Sequence, residues 1–391
     1  MPKKVFGFPK NIFFLGLTSF FNDFSSEMVL SIFPAFFTSV LKTGAGSLGL
    51  VEGIADGASN IFKAYSGALS DKLQKRKLFV IAGYTLSELT RPLYLLASSV
   101  GGVMGLRFLD RVGKGIREAP RDAILSISAE KGAMGASFGF HRAMDTLGGI
   151  LGPLAAYFIL LYFPLKFDYV FLTAFVLGLF ALFSLFFIRD VGQVFASKAF
   201  SLPFSKGKVP LRFTLFLLSM FFLAMGSMPI AVLLLKTEHI GLLIASIPLF
   251  YMVHNISSAG FSYFAGKTSD TIGARKVIIA GYVMLLVSYA VIGFADSALT
   301  LAMGFFVLGL FPALTDGVQR ALAAELSPPE LRGGAFGLLH ATLGIGAIFA
   351  GVGGGLLWEF YSPEFALLVA SMVLIMGLVL FISSSLTREA S

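Results

Sequence analysis

Long apolar runs alternate with short polar breaks along the whole chain. A helix needs about twenty apolar residues to cross a bilayer. Twelve runs reach or approach that length, at about 11–40, 46–70, 78–99, 102–124, 135–163, 168–188, 211–235, 240–265, 277–295, 298–323, 333–357 and 362–385. In hydrocarbon each backbone N–H and C=O must be satisfied within its own segment, so the runs predict helices. The expectation is an all-α membrane protein with twelve transmembrane helices.

The polar breaks orient those helices. Basic residues gather after runs 2, 4, 6, 8 and 10, as in Lys75, Arg76 and Lys77 or Lys267, Arg275 and Lys276. The opposite breaks offer little beyond Lys42, Lys166 and Lys236. Positive loops stay inside, so both termini are expected in the cytoplasm of a multi-pass protein of the cell inner (plasma) membrane. The most polar break, 189–210, is read as a cytoplasmic linker between an N-terminal six-helix half, 1–188, and a C-terminal six-helix half, 211–391. The halves repeat. Gly67-Ala-Leu-Ser70-Asp71 returns as Gly266-Lys-Thr-Ser269-Asp270, 199 positions on, and Lys75-Arg76-Lys77 is matched by Arg275-Lys276. Gly83-Tyr84 returns as Gly281-Tyr282, and Phe138-Gly139 as Phe336-Gly337, each 198 positions on. Parallel repeats of this kind are a transporter architecture with the site between the halves near the midplane.

Composition narrows the class further. The 391 residues are 56% hydrophobic and 13% charged, against about 25% charged in soluble domains, which excludes a globular enzyme. The net charge of +8 sits in short topological loops and does not point to nucleic acid. Without cysteine there is no disulfide, thiolate metal site or thiol catalysis. The N-terminal ten residues are too short for a signal peptide's charged and cleavage regions, so the first run is expected to be retained. No metalloprotease motif or nucleophile elbow occurs, and Gly113-Lys-Gly-Ile-Arg117 lacks the strand and spacing of a phosphate loop. A non-transport receptor or enzyme is therefore disfavoured.

One stretch breaks the apolar pattern. Arg107, Asp110, Arg111, Lys114, Arg117, Glu118 and Arg121 all fall on one face of run 4 when set at about 100° per residue. A charge at the bilayer centre costs at least about 2.5–3.5 kcal/mol, so this face requires a lined cavity or internal partners. Acids lie on neighbouring runs: Asp23 and Glu27 on run 1, Glu52 and Asp56 on run 2, Asp145 beside His141 and Arg142 on run 5. Glu88 and Arg91 on run 3 read as a structural intrahelical pair. The second half is quieter, with His254, Asn255, Asp316, Gln319, Arg320 and His340 as its polar inventory. It is expected to present a neutral wall rich in Phe and Met.

The paired loops Gly67–Lys77 and Gly266–Lys276 resemble the signature of the major facilitator superfamily, with Gln74 standing where the second glycine is usual and Gly273 keeping it. The likeness covers nearly the whole chain. It implies two pseudo-symmetric six-helix halves that alternate access. It further implies a cytoplasmic latch at Gly67, Asp71 and Arg76 and at Gly266, Asp270 and Arg275. Arg107 resembles the family's buried arginine, and Gly148-Gly-Ile-Leu-Gly152-Pro153 is similar to a motif of proton-coupled exporters. The set Asp23–Met28, Arg107–Asp122 and Phe138–Asp145 looks like one group of bacterial members, and it implies mechanism without cargo.

Together these readings predict an alternating-access secondary transporter, a proton-coupled antiporter working in efflux of a small polar or charged organic solute. Asp23, Glu27 and Asp145 are the expected coupling carboxylates. Arg107, Arg111, Lys114, His141, Arg142, Glu52, Asp56, His254, Asn255, Asp316, Gln319 and His340 are the expected substrate contacts. No cofactor beyond a proton gradient is expected, with sodium as the alternative, and no resident metal. Partners are the small-molecule substrate and membrane lipid, without nucleic acid, and a monomer suffices. The alternatives are a divalent-metal transporter using Asp23, Glu27, His141 and Asp145, and a hydrophobic multidrug exporter. A fixed salt-bridge lattice is the structural alternative for the charges.

Overall fold

The computed structural model describes residues 4–73, 75–130, 133–190, 211–327 and 332–386. A two-residue hairpin, β1 (Lys4–Val5) with β2 (Phe8–Pro9), precedes the helices. The first half contains α1 (Lys10–Ser39), α2 (Ala45–Leu73), α3 (Arg76–Leu93), α4 (Val100–Ser128), α5 (Met134–Tyr162) and α6 (Phe167–Leu185). The second contains α7 (Leu211–Met225), α8 (Ile247–Ile272), α9 (Ala274–Gly293), α10 (Ala298–Glu325), α11 (Arg332–Phe360) and α12 (Pro363–Leu386). Short helical turns at Ile230–Leu234 and Lys236–His239 join α7 to α8. These are the twelve predicted helices, in two pseudo-symmetric halves.

Seven of the described segments are long and apolar enough to cross a membrane by themselves, among them α5, α6, α9 and α12. Helices α1 to α4 and α8 fall outside that group. They hold Asp23, Glu52, Glu88, Arg107 and His254 respectively, and burial against other helices removes that polarity from lipid. Lipid-facing bulk is supplied instead by residues such as Phe183, Phe264 and Met372.

Packing repeats between the halves. Helix α1 lies on α5 and α6, α2 on α4, and α3 on α4 and α6. In the second half α7 lies on α11 and α12, α8 on α10, and α9 on α10 and α12. The halves meet through α2 on α11 and, in the symmetry-related place, α5 on α8.

The α2–α11 seam explains many of the glycines. Gly49, Gly53 and Gly57 face Gly351, Gly355 and Gly344, so the two backbones touch with nothing between them. A Cβ on Gly53 would stand 3.1 Å from the Ala347 carbonyl oxygen. Small residues at such positions let helices approach within van der Waals range. The contact runs antiparallel from Ala45 against Gly355 to Asn60 near His340. At the end bearing the 1–2 loop, the Glu359 carboxylate accepts from the Gly46 backbone N–H at 2.6 Å, and Thr38 donates to Glu238 at 2.9 Å. Beyond Asn60 the halves diverge toward the end bearing the basic 2–3 and 8–9 loops.

Most of the expected linker, 191–210, lies outside the described residues, as do the surroundings of Gly67 and the side chain of Asp71. The second loop copy shows why its glycine matters. Gly273 holds φ at +93° between α8 and α9, a conformation that L side chains rarely adopt.

Candidate functional site

Where the halves diverge they enclose a cavity of about 820 Å³, open at the basic end. Its walls are α2, α4 and α5 on one side, α8 and α10 on the other. Six basic side chains (Lys63, Arg111, Lys114, Arg121, Arg142, Arg320) and six acidic ones (Asp56, Glu118, Asp122, Asp145, Asp270, Asp316) line it. Such a volume falls in the usual range of small-molecule sites, about 300–1,000 Å³.

The α4 stripe divides by depth. Deepest is Arg107, whose Nε and Nη2 donate to the two Glu52 carboxylate oxygens at 2.8 and 2.9 Å, while Nη1 donates to Asp110 at 2.9 Å. Its guanidinium also lies over the Phe33 ring. Arg107 and Glu52 are 2% and 3% exposed and do not line the cavity. They fasten α4 to α2, so the expectation that they contact substrate gives way to a structural role. A planar fork meeting a carboxylate with two parallel bonds makes a strong, direction-specific clamp. One turn nearer the mouth, Arg111 faces Asp56 at 3.6 Å and lines the cavity. Next, Glu118 binds Lys63, with Lys114 at 3.9 Å. Arg121 pairs with Asp122 at 2.9 Å. Arg117 turns away, donating to Ser87 at 2.6 Å and to Asn22 at 3.3 Å, with its plane over Tyr84.

The α1 and α5 acids meet because α5 has no side chains in the way. A Cβ on Gly152 would come 2.6 Å from the Phe24 carbonyl oxygen, and one on Gly148 would strike Phe20. Helix α1 therefore lies directly on the α5 backbone. Ser19 donates to Asp145, and both His141 and Arg142 stand 3.8 Å from that carboxylate. Asn22 donates to Asp23 at 2.8 Å. Glu27 accepts from the hydroxyl of Tyr251 on α8, a bond that crosses between the halves. Asp145 and Lys114 act electrostatically on Asp23, and Asp23 acts on Glu27. The three carboxylates thus climb from the cavity toward the seal: Asp145 lines it, while Asp23 and Glu27 lie just beyond its lining.

The second half departs from the sequence reading. His254 stacks on Tyr251, Asn255 donates to the Gly149 carbonyl at 2.7 Å, and Gln319 donates to the Tyr282 hydroxyl at 2.9 Å. His340 stands 3.3 Å from Asn60. None of these four lines the cavity, and their contacts are seam and packing contacts. The wall is also not neutral: Asp270, Asp316 and Arg320 reach it alongside Ser262 and Ser269. Of the latch residues, Gly266 and Asp270 line the cavity, Arg76 is buried, and Arg275 hydrogen-bonds Ser384 while lying over Phe381. Glu88 and Arg91 form the buried i,i+3 pair expected, and Gly178 on α6 leaves room for the Glu88 carboxylate.

Sequence reasoning passed over Tyr251, Asn22 and Asn60. In a chain with 11 Tyr and 43 Phe, one aromatic facing the partner half has no pattern to mark it.

The sequence profile of the Major Facilitator Superfamily matches residues 15–258 and 213–390. The chain is 35% identical, over 95% of its length and 95% of the relative's, to an uncharacterised MFS-type transporter of Methanocaldococcus jannaschii. It is 23% identical, over 96% and 95%, to a multi-drug resistance efflux pump PmrA homolog of Lactococcus lactis. Among solved structures, a variant of the nucleoside transporter NupG superposes with a TM-score of 0.82 at 14% identity, covering 95% of this chain and 99% of that one. A peptide transporter POT bound to alafosfalin gives 0.80 at 15%, covering 98% and 96%. At these identities the structures bear on the fold alone, whereas the profile and the archaeal relative span the chain. The chain belongs to the Major Facilitator Superfamily and is a multi-pass membrane transporter of that family.

Proposed function

We propose that this transporter is a proton-coupled antiporter that exports a small, polar, charged organic solute from the cytoplasm. The observation that carries the reading is the cavity between the halves, which combines charges of both signs with a ladder of three carboxylates leading from it to the seal. By the positive-inside rule the basic end is cytoplasmic, and this conformation is then inward-open, with both termini inside and the membrane the cell's inner membrane. Asp270, which makes no ion pair or hydrogen bond among the described residues, fits a latch released in that state.

Coupling follows from the ladder. Carboxylates packed this closely repel one another when ionised, so a proton bound among Asp145, Asp23 and Glu27 is stabilised where no cation offsets them. Lys114 and Arg111 act on Glu27, and Lys114 and Arg117 on Asp23. These cations sit on α4 while the Tyr251 hydroxyl comes from the other half. Rocking the halves moves Tyr251 relative to Glu27 and alters the ladder's proton affinity, which links protonation to access.

A divalent-metal cargo is disfavoured by Arg121, Arg142 and Lys114 crowding the same carboxylates. The similarity to a multi-drug efflux pump homolog supports export, while the charged lining argues for a polar cargo.

The test is solute flux in proteoliposomes under an imposed pH gradient. Asp23→Asn should abolish gradient-driven flux and leave ligand binding measurable. Retained coupling in that variant would remove Asp23 from the mechanism.

A further inference from the structure

We infer that the cavity is built for a small zwitterion, its anionic end held by Lys114 and Arg142 on the first half and its cationic end by Asp316 on the second. This rests on the transport reading above and names the substrate class for that same site.

Most lining charges already have close partners. Lys63 holds Glu118, Arg121 holds Asp122, and Arg111 faces Asp56. Three do not. Lys114 stands 3.9 Å from a Glu118 that Lys63 binds more closely, and its side chain is 39% exposed. Arg142 stands 3.8 Å from Asp145 and is 63% exposed. The Asp316 carboxylate makes no ion pair or hydrogen bond among the described residues; Arg320, one turn on, donates to the Asp316 backbone oxygen at 3.1 Å instead. Arg320 still acts on the Asp316 carboxylate through space, and the cations that act on it from the opposite wall are Arg142, Lys63 and Lys114. Two loosely held cations on one half therefore face a carboxylate on the other that no side chain contacts directly among the described residues.

Closing the basic end removes water from this space, and a charge left dry without a counter-charge is costly. A monoanion would satisfy Lys114 and Arg142 but leave the Asp316 carboxylate without a direct partner, with Arg320 acting on it only through space. A monocation would do the reverse. A solute bearing both charges compensates both walls at once and ties the two halves together, so its binding favours the closed intermediate through which transport passes. The cavity, at about 820 Å³, has room for separated charges on a flexible chain or a dipeptide.

The experiment uses the purified full-length protein and thermal stability, with 4-aminobutyrate, 6-aminohexanoate and alanyl-alanine as probes. Each is run beside its N-acetyl form, which is an anion only, and its methyl ester, which is a cation only. At least one free zwitterion should raise the melting temperature while both of its blocked forms do not. Asp316→Asn, Lys114→Gln and Arg142→Gln should each weaken that ligand about 10- to 100-fold, the range for a lost charged hydrogen bond. If Asp316→Asn lowers the unliganded melting temperature, Asp316→Glu replaces it and should retain binding. A blocked form that stabilises as well as its parent, or a panel in which no zwitterion stabilises, overturns the inference. Binding of a zwitterion without gradient-driven flux would sink the transport reading and leave the site standing. Gradient-driven flux of another solute with the panel silent would do the opposite.

Discussion

At the scale of single residues, the charges of α4 do two different jobs on one helix face. Arg107 is surrounded by Glu52, Asp110 and Phe33 and is closed to water, whereas Lys114, two turns on, is open to the cavity. Spacing alone does not separate them, because both lie within the same arc; depth relative to the neighbouring helix does. The distinction has a measurable consequence. Arg107→Ala would leave Glu52 and Asp110 buried without a counter-charge, and breaking such a pair costs about 3–5 kcal/mol. Thermal or denaturant unfolding of the purified variant should show that loss, while Lys114→Gln should unfold much like the parent protein. Equal destabilisation by the two would mean that the stripe is one structural lattice.

At the scale of helices, the seams are made by absence. Gly49, Gly53 and Gly351 bring α2 onto α11, and Gly148 and Gly152 bring α1 onto α5. The first contact joins the halves at the sealed end, and the second sets the height of Asp23 and Glu27. Gly53→Val would force α2 and α11 apart against backbone atoms of Ala347 and Gly351. Destabilising the sealed end should shift the equilibrium toward the state closed at the basic end. A chain free of cysteine makes the readout clean: maleimide labelling of a single Ser59→Cys in the cavity wall should slow in the Gly53→Val background. Unchanged or faster labelling would show that this seam does not govern access.

At the scale of the whole molecule, the sealed end carries its own titratable contact. Glu238, between α7 and α8, is half-buried against Thr38 of the other half, and burial raises its carboxyl above the usual range. A group whose pKa is raised in one state favours that state when protonated. The sealed conformation thus gains stability below the ordinary carboxylate pKa and loses it as pH rises through the raised one. Acidification on the Glu238 side should therefore increase labelling at Ser59→Cys, and Glu238→Gln should remove that component of the pH response. A pH response of the same size in Glu238→Gln would assign it to other groups.

Much of this architecture was legible from residues alone. The twelve helices, the repeat at Gly67 and Gly266, and the charged face of α4 follow from hydropathy, spacing and the cost of charge in hydrocarbon. So did the gathering of Arg111, Lys114, His141, Arg142, Asp56 and Asp145 around one space. Local pattern reports which residues share a helix face, because the period of the helix is constant. It does not report how deep a face is buried, or which side chain of the other half it meets. Only the tertiary structure put Arg107 on Glu52 and out of the cavity, Tyr251 on Glu27, and Asp316 on a wall expected to be neutral. Those contacts join residues 55 to 224 positions apart. Helix periodicity constrains neighbours within a few turns, whereas packing of one half on the other decides who meets whom across the cavity.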